Sequence, residues 1–393
     1  MRPDSPAPAP APGRPGFYEF FAGGGMARAG LGAGWRCLFA NDIDAAKAAA
    51  YRANFGEEAL RVADIHALAA RDLPGTADLM WGSFPCQDLS VAGLGAGLGG
   101  ERSGAFHGFW RLVDGLVAEG RGPRVTVLEN VCGTLTANAG RDFHAICSAF
   151  AAAGYRVGAL VVDAELFVPQ SRPRLFVVGV RAGAEIAPDL MAPAPLDDFH
   201  PAALRRAVEG LPAAAALAWA WWRLPPPPLR RQAFADLIEA SPEEGVWRTA
   251  SQTAQLLALM SPLHLAKVEA ARRSGRRCVG AVYRRTRVDA GGGKAQRAEV
   301  RFDEVAGCLR TPAGGSSRQL LLVVEGDGVR SRLVSPRETA RLMGLPDSYR
   351  LPPRANAAYH LTGDGVVAPV VAHLARNLIE PLLGLATAEQ MAA

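Results

Sequence analysis

The sequence predicts an α/β fold: a mostly parallel sheet covered by helices, with a second, smaller domain of irregular composition inserted into it. Three observations carry this expectation. Between Phe17 and about Val180, short apolar runs alternate with helical stretches, the rhythm of strand–helix–strand units. After Val180 the rhythm stops, and Pro/Ala-rich, tryptophan-rich and arginine-rich stretches follow to about residue 330. Near the C-terminus it returns. Ser335-Pro336-Arg337-Glu338 joins an N-cap serine, a first-turn proline and a capping-box glutamate, so a helix should run to about Met343 and stop at Gly344.

Taken in order, residues 1–16 hold six prolines and no apolar core, which reads as a disordered lead-in and not as a signal peptide. Phe17–Phe21 reads as the first strand and runs into Ala22-Gly23-Gly24-Gly25; Met26–Gly34 then reads as a helix. A second strand, Arg36–Ala40, ends at Asn41-Asp42, and an alanine-rich helix follows from Asp44 to about Asn54. Asp78–Phe84, Arg124–Leu128, Val157–Val162 and Leu175–Val180 are further strands, and Phe106–Ala118 and Arg141–Ala152 are helices. These place a first domain at 17–180, a second at 181–330, and a segment 331–393 that returns to the first. The last helix of that segment, Val367–Leu383, has an apolar face that needs the first domain as a partner.

The 393 residues are 49% hydrophobic and 21% charged, the balance of a globular protein. Six cysteines, at 37, 86, 132, 147, 278 and 308, include no CxxC pair, so neither a disulfide framework nor a zinc site is expected. The most apolar later run, Leu211–Trp222, is too short to span a bilayer. A soluble protein of a reducing cytoplasm fits best. Charge is concentrated: Lys267–Arg301 carries eleven Lys/Arg against three Asp/Glu, or +8, while the whole chain carries +5. Such an island reads as a polyanion-binding surface or as a solvated face, and the interleaved Tyr283 and glycine turn shift the balance towards nucleic acid.

In sheets of this kind ligands bind at the carboxyl ends of the strands, and the chemistry-bearing residues fall there. The glycine turn after the first strand allows close backbone approach to a nucleotide-like ligand, and Asp42 ends the second strand where a carboxylate can hold ribose hydroxyls. A nicotinamide oxidoreductase would share both features, but GxGxxG is absent. Pro85-Cys86-Gln87-Asp88 places a thiol at a strand end, followed by Gly93, Gly95, Gly97, Gly99 and Gly100, a composition suited to a closing loop. A buried structural cysteine is the bland alternative; a position between proline and Gln-Asp suits it poorly. Glu129-Asn130-Val131 and Gln170-Ser171-Arg172-Pro173-Arg174 reach the same edge.

With these motifs in this order, the chain resembles the cytosine-5 DNA methyltransferases over nearly its whole length after Gly16. The resemblance implies a Rossmann-like, S-adenosyl-L-methionine-dependent catalytic domain with a target-recognition domain at 181–330. It implies that Phe21, Ala22, Gly23 and Gly25 form the cofactor loop, that Asp42 and Ile43 hold the ribose and pack on the adenine, and that Asp64 and Ile65 meet the adenine edge. Pro85, Asp364 and Val366 complete the cofactor side. Cys86 would be the nucleophile adding to cytosine C6, Glu129 the group facing N3 and the amino group, Arg174 the holder of O2, and Arg172 a support for the base or a neighbouring phosphate. Gln87, Ser90 and Arg102 would occupy the space left by the flipped base or grip the backbone. Arg284, Arg285, Arg287 and the turn Thr311–Gly315 are candidate DNA readers.

Arg332–Pro346 is similar to the segment that follows the family's recognition domain. Three positions depart from the pattern: Met26 for glycine, Glu19 for aspartate, and Asp364 where the family has asparagine. The resemblance further implies duplex DNA as partner, a cognate restriction endonuclease as a companion, a monomer, no membrane and no metal. An RNA cytosine-5 methyltransferase on the same scaffold and a catalytically silent DNA-binding relative stand as alternatives.

Overall fold

In a computed structural model of the protein, residues 13–84, 104–239, 247–288, 292–312 and 318–385 are described. Pro85, Cys86, Gln87, Ser90, Arg102 and the turn residues Ala313, Gly314 and Gly315 lie outside them. Seven strands, β1 (Gly16–Phe20), β2 (Arg36–Asp42), β3 (Leu60–Val62), β4 (Leu79–Gly82), β5 (Val125–Val131), β6 (Tyr155–Asp163) and β7 (Pro173–Arg181), form one sheet of order β3-β2-β1-β4-β5-β7-β6. Neighbours from β3 to β5 are parallel, and β7 runs antiparallel to β5 and β6 on either side.

The central strands are apolar throughout because both faces are covered. Tyr18, Phe20, Met80 and Leu128 face one core with α3 (Gly104–Ala118) and α4 (Arg141–Ala152), preceded in the chain by α1 (Met26–Leu31) and α2 (Ala45–Phe55). Phe17, Leu79, Trp81 and Val127 point to the other core. In α3, Phe106, Phe109, Trp110, Val113 and Leu116 are buried, the spacing of one helix face. Helix α1 ends at Leu31, three residues short of the stretch read from sequence, and is followed by Gly32, whose φ of 75° suits glycine.

Residues 187–224 lie against β6: α5 (Ala202–Glu209), α6 (Ala213–Leu217) and the short pair β8 (Met191–Ala192) and β9 (Trp221–Trp222). Trp222 is fully buried, and its indole N–H donates to the Val178 carbonyl at 2.9 Å. After α7 (Phe234–Leu237) come α8 (Ala250–Ala258) and α9 (Pro262–Arg273), then β10 (Cys278–Val288), β11 (Lys294–Arg301), β12 (Leu320–Glu325) and β13 (Gly328–Leu333), an antiparallel sheet of order β11-β10-β12-β13. Alternation sorts its faces. Val282, Ala298, Val300, Leu320 and Leu322 meet α8 and α9, while Val279, Ala281, Leu321 and Val323 join the core that contains Phe17 and Trp81. Beyond Val282, β10 pairs with β11 alone, so residues 283–288 and 294–299 form a two-stranded ribbon.

The chain then returns as α10 (Pro336–Leu342), α11 (Ala355–Asp364) and α12 (Ala368–Leu374), the last continuing helically to Leu382. The expected capping box is present: Ser335 Oγ accepts from Glu338 N at 3.2 Å, and Glu338 Oε2 accepts from Ser335 N at 2.7 Å. Val371, Leu374 and Leu378 seal the second face of the large sheet. Among the described residues no helix is long and apolar enough to cross a membrane.

Candidate active site

The antiparallel register of β7 against β5 sets Arg174 opposite Val131, and so places Glu129, two residues earlier on the same face, on its diagonal. The result is an ion pair: Arg174 Nε lies 3.3 Å from Glu129 Oε1, with side chains only 15% and 8% exposed. Arg174 also donates to the Pro173 carbonyl at 2.9 Å and lies 3.9 Å from Cys308 Sγ. Next to Glu129, Asn130 donates to the Phe84 carbonyl at 3.4 Å and accepts from Val131 N at 2.8 Å. The chain is thereby held beside Glu129 at the last described residue before Pro85-Cys86.

Arg172 is placed differently from the reading that gave it to the base or a phosphate. It is buried, and its guanidinium is engaged by the protein: Nη1 donates to Leu309 O at 2.9 Å and reaches Cys308 Sγ at 3.3 Å, while Nη2 donates to Gly363 O and Gly365 O, both at 2.8 Å. Burial pulls its pKa below the ordinary value, with Arg174 adding to the effect. Gln170 works alongside, donating to Leu342 O at 2.7 Å and accepting from Leu309 N at 3.0 Å. Gln170 and Arg172 thus tie the start of β7 to the segment between β11 and β12 and to the C-terminal segment. The joint is tight: a Cβ on Gly363 would strike the Arg310–Thr311 backbone, and one on Gly365 would strike Met26.

The cofactor side gathers at the carboxyl ends of β1 and β2. Phe21 closes β1 with a φ of +56°, an uncommon conformation for a bulky residue and one that concentrates at functional sites. Gly23 and Gly25 follow with φ of 54° and 77°. Asp42 Oδ2 accepts from Gly23 N and Oδ1 from Asp44 N, both at 2.7 Å, so the carboxylate shapes the turn while each oxygen keeps a second lone pair. Burial raises its pKa, and these two N–H groups oppose that. Ile43, beside it, is 67% exposed. Asp64 is exposed and caps the turn containing buried Ile65, accepting from His66 N at 2.9 Å. Val366 is buried.

Asp364, the charge that departs from the family pattern, has partners. Lys47 Nζ lies 2.6 Å from its Oδ2, and the Thr311 hydroxyl donates to its Oδ1. Burial lowers the Lys47 pKa, but Asp364 outweighs it and leaves the ammonium raised.

On the ribbon, Arg285 and Arg287 share a face with Tyr283, Arg297 and Glu299, the face whose inner end joins the core containing Trp81. Glu299 pairs with both, at 2.9 Å from Arg287 Nε and 3.6 Å from Arg285 Nε, and Arg285 lies over the Tyr283 ring at 5.5 Å. Arg284 points to the opposite face with Thr286 and Lys294. The candidate readers are therefore split between two surfaces.

Several residues at these sites carried no sequence signal. Lys47, Cys308 and Tyr349, whose hydroxyl donates to Gly24 O at 2.7 Å, meet their partners only across long stretches of chain. Asp163 accepts from Arg172 N at 2.7 Å; its place at a strand end was the one available hint.

The C-5 cytosine-specific DNA methylase family matches residues 16–380. The Type II methyltransferase M.NlaX of Neisseria lactamica is 27% identical over 372 residues, covering 92% of this chain and 95% of that protein. M.HpaII of Haemophilus parainfluenzae is 25% identical over 386 residues, covering 93% and 89%. In fold, the chain is similar to the S. pombe Dnmt2 methyltransferase, with a TM-score of 0.61 and 16% identity over 94% of this chain and 99% of that one.

Proposed function

The chain belongs to the C-5 cytosine-specific DNA methylase family, and on that premise we propose that it methylates C5 of a cytosine flipped out of duplex DNA, through a covalent adduct between Cys86 and C6. The observation that carries the reading is the buried Glu129–Arg174 pair, a carboxyl group and a planar fork held together at the strand ends.

S-adenosyl-L-methionine, when bound, supplies an electrophilic methyl group on a sulfonium. The residues present fit it. Exposed Ile43 offers an apolar platform, the free lone pairs of Asp42 suit vicinal hydroxyls, and the positive-φ glycines bring bare backbone to the ligand. Phe21, Ala22, Gly23, Gly25, Asp64, Ile65, Pro85, Asp364 and Val366 would surround it.

In the proposed reaction the thiolate of Cys86 adds to C6 and makes C5 nucleophilic. Negative charge develops on N3, where a proton shared with Glu129 neutralises it while Glu129 accepts from the exocyclic amino group. Arg174, held by Glu129, grips O2. Once C5 carries the methyl group, loss of the C5 proton to a base lets Cys86 leave as a thiolate, and N3 gives its proton back to Glu129. Arg172 is a positioning residue, fixing the strand that carries Arg174. Flipping costs on the order of a few kcal/mol, and Gln87, Ser90 and Arg102 are assigned to the vacated space.

The ribbon suits the major groove of B-DNA, which admits a two-stranded β-ribbon. That fit supports duplex DNA over RNA. We further propose a companion restriction endonuclease and a monomer acting in the cytoplasm. Cys86→Ala should abolish methylation mapped by bisulfite-type sequencing while duplex binding persists; turnover by this variant would remove the nucleophile.

A further inference from the structure

Among the described residues, the guanidinium groups of Arg172 and Arg174 share one buried corner, where the Glu129 carboxylate pairs with Arg174 and that of Asp163 accepts from the Arg172 backbone N–H at 2.7 Å. The partners of the Arg172 guanidinium are three carbonyl oxygens and one sulfur. Arg172 is 2% exposed, and a guanidinium so buried, with no carboxylate bonded to it among the described residues, is a costly arrangement, because carbonyl dipoles replace only part of the lost hydration. The sulfur belongs to Cys308, 3.3 Å from Arg172 Nη1 and 3.9 Å from Arg174 Nη2. The other role open to this thiol, donation to Leu309 O at 3.4 Å, competes with Arg172, which donates to the same oxygen at 2.9 Å.

We propose that Cys308 is held as a thiolate, the counter-ion of Arg172 and Arg174, and that it is a positioning residue fixing the Arg174 fork beside Glu129. The two guanidinium groups then face two anions, Cys308 and Glu129. The charged groups around the sulfur are Arg172, immediately before β7, Arg174 on β7 and Arg310 from its own segment, with Glu129 on β5 engaged by Arg174. Asp163 on β6 is engaged by the Arg172 backbone. Burial pushes the Cys308 thiol up, but the three arginines outweigh it and leave it below the ordinary thiol range. Cys132, at the end of β5, is the internal contrast: burial outweighs Arg174 there and pushes it up to about 11.

The task given to Arg174 rests on the proposed function, whereas the ionisation of Cys308 does not, and the experiment separates the two. Thiolate ultraviolet absorbance is compared between the wild-type chain and Cys308→Ser, without cofactor or DNA, as pH is lowered. The expected difference is present at neutral pH and titrates out below the ordinary thiol pKa of about 8.5. Cys308→Ser should lose about tenfold in kcat with KM for DNA little changed, and Cys308→Asp should recover part of that loss. A difference that appears only above about pH 8.5, or wild-type kcat in Cys308→Ser, overturns the proposal. Should Cys308→Ser fail to fold, peptide-resolved alkylation of the wild-type chain decides. Cys308 reacting at lower pH than Cys132 supports the thiolate, and a shared midpoint overturns it. A thiolate signal in a chain that methylates nothing refutes the enzymatic reading and leaves the ion pair standing.

Discussion

The pairing of Asp364 with Lys47 makes a quantitative prediction about the position where this chain departs from its family. The perturbation is Asp364→Asn, set in a double-mutant cycle with Lys47→Met. At the 2.6 Å separation, an ion pair in bulk water is worth roughly 1.6 kcal/mol and several times that at an intermediate dielectric. The Asp364 side chain is 37% exposed and that of Lys47 22%, so solvent screens the attraction, and ordering two side chains offsets more of it. Pairs of this exposure contribute about 0.2–1 kcal/mol. Asp364→Asn alone should cost less than Lys47→Met, because asparagine keeps an acceptor for the Thr311 hydroxyl while Lys47 retains the attraction of Asp42 and Asp44. Removing Lys47 instead leaves a partly buried carboxylate with a hydroxyl alone. The assay is urea unfolding of the four proteins at low and high ionic strength, with S-adenosyl-L-methionine affinity as a second readout. We expect a coupling energy of about 0.5–1 kcal/mol that shrinks with salt, and a change in cofactor affinity of no more than about fivefold. Zero coupling at low salt, or a salt-independent coupling above about 3 kcal/mol, would refute the reasoning.

Two further predictions follow from groups elsewhere in the fold. Glu19 is buried, accepts from Arg28 N at 3.3 Å through one oxygen and has no partner for the other; burial pushes its pKa up from 4.5 to about 8. The folded chain then keeps a proton that the unfolded chain has released, so stability declines as pH rises from about 4.5 to about 8 and levels off beyond, a change of order a few kcal/mol. Glu19→Gln should flatten that slope in urea unfolding across the interval, and parallel pH curves for the two proteins would sink the assignment. On the ribbon, Arg285→Ala and Arg287→Ala should each change base preference at one position of the site, by about 1–3 kcal/mol. Lys294→Ala, on the opposite face, should weaken binding evenly across sequences and reduce the salt slope by about one. Selection of bound duplexes from a randomised pool reads both effects, and uniform weakening by all three variants would remove the face assignment.

What was legible in the sequence was local or repetitive. The alternation from Phe17 to Val180 was readable because a strand buried on both faces and a helix buried on one have different apolar periods. Helix α10 was readable down to its cap because Ser335, Pro336 and Glu338 act within a single turn. The ends of β2, β4 and β5 were readable only to within a few residues: the sequence placed them at Ala40, Phe84 and Leu128, and the strands run to Asp42, Gly82 and Val131. β3, three residues long and half-exposed, was not readable: it forms only because β2 offers it an edge. The four-stranded sheet was hidden for a similar reason. Its strands β10 and β11 are arginine-rich, and their pattern reports what they leave exposed.

Sequence alone thus determined the parallel α/β scaffold, the order of its motifs and the chemistry available at the strand ends. Tertiary structure decided which of those groups touch. It turned Arg172 inward onto Gly363 and Gly365, set Cys308 between two arginines, matched Lys47 to Asp364 and divided Arg284 from Arg285 and Arg287. The physical reason is range. Periodicity and capping act over a few residues and are written in the local order of side chains. Contacts between residues 47 and 364, or 172 and 308, depend on the reversed register of β7 and on the path by which the chain returns, and neither leaves a mark on neighbouring sequence.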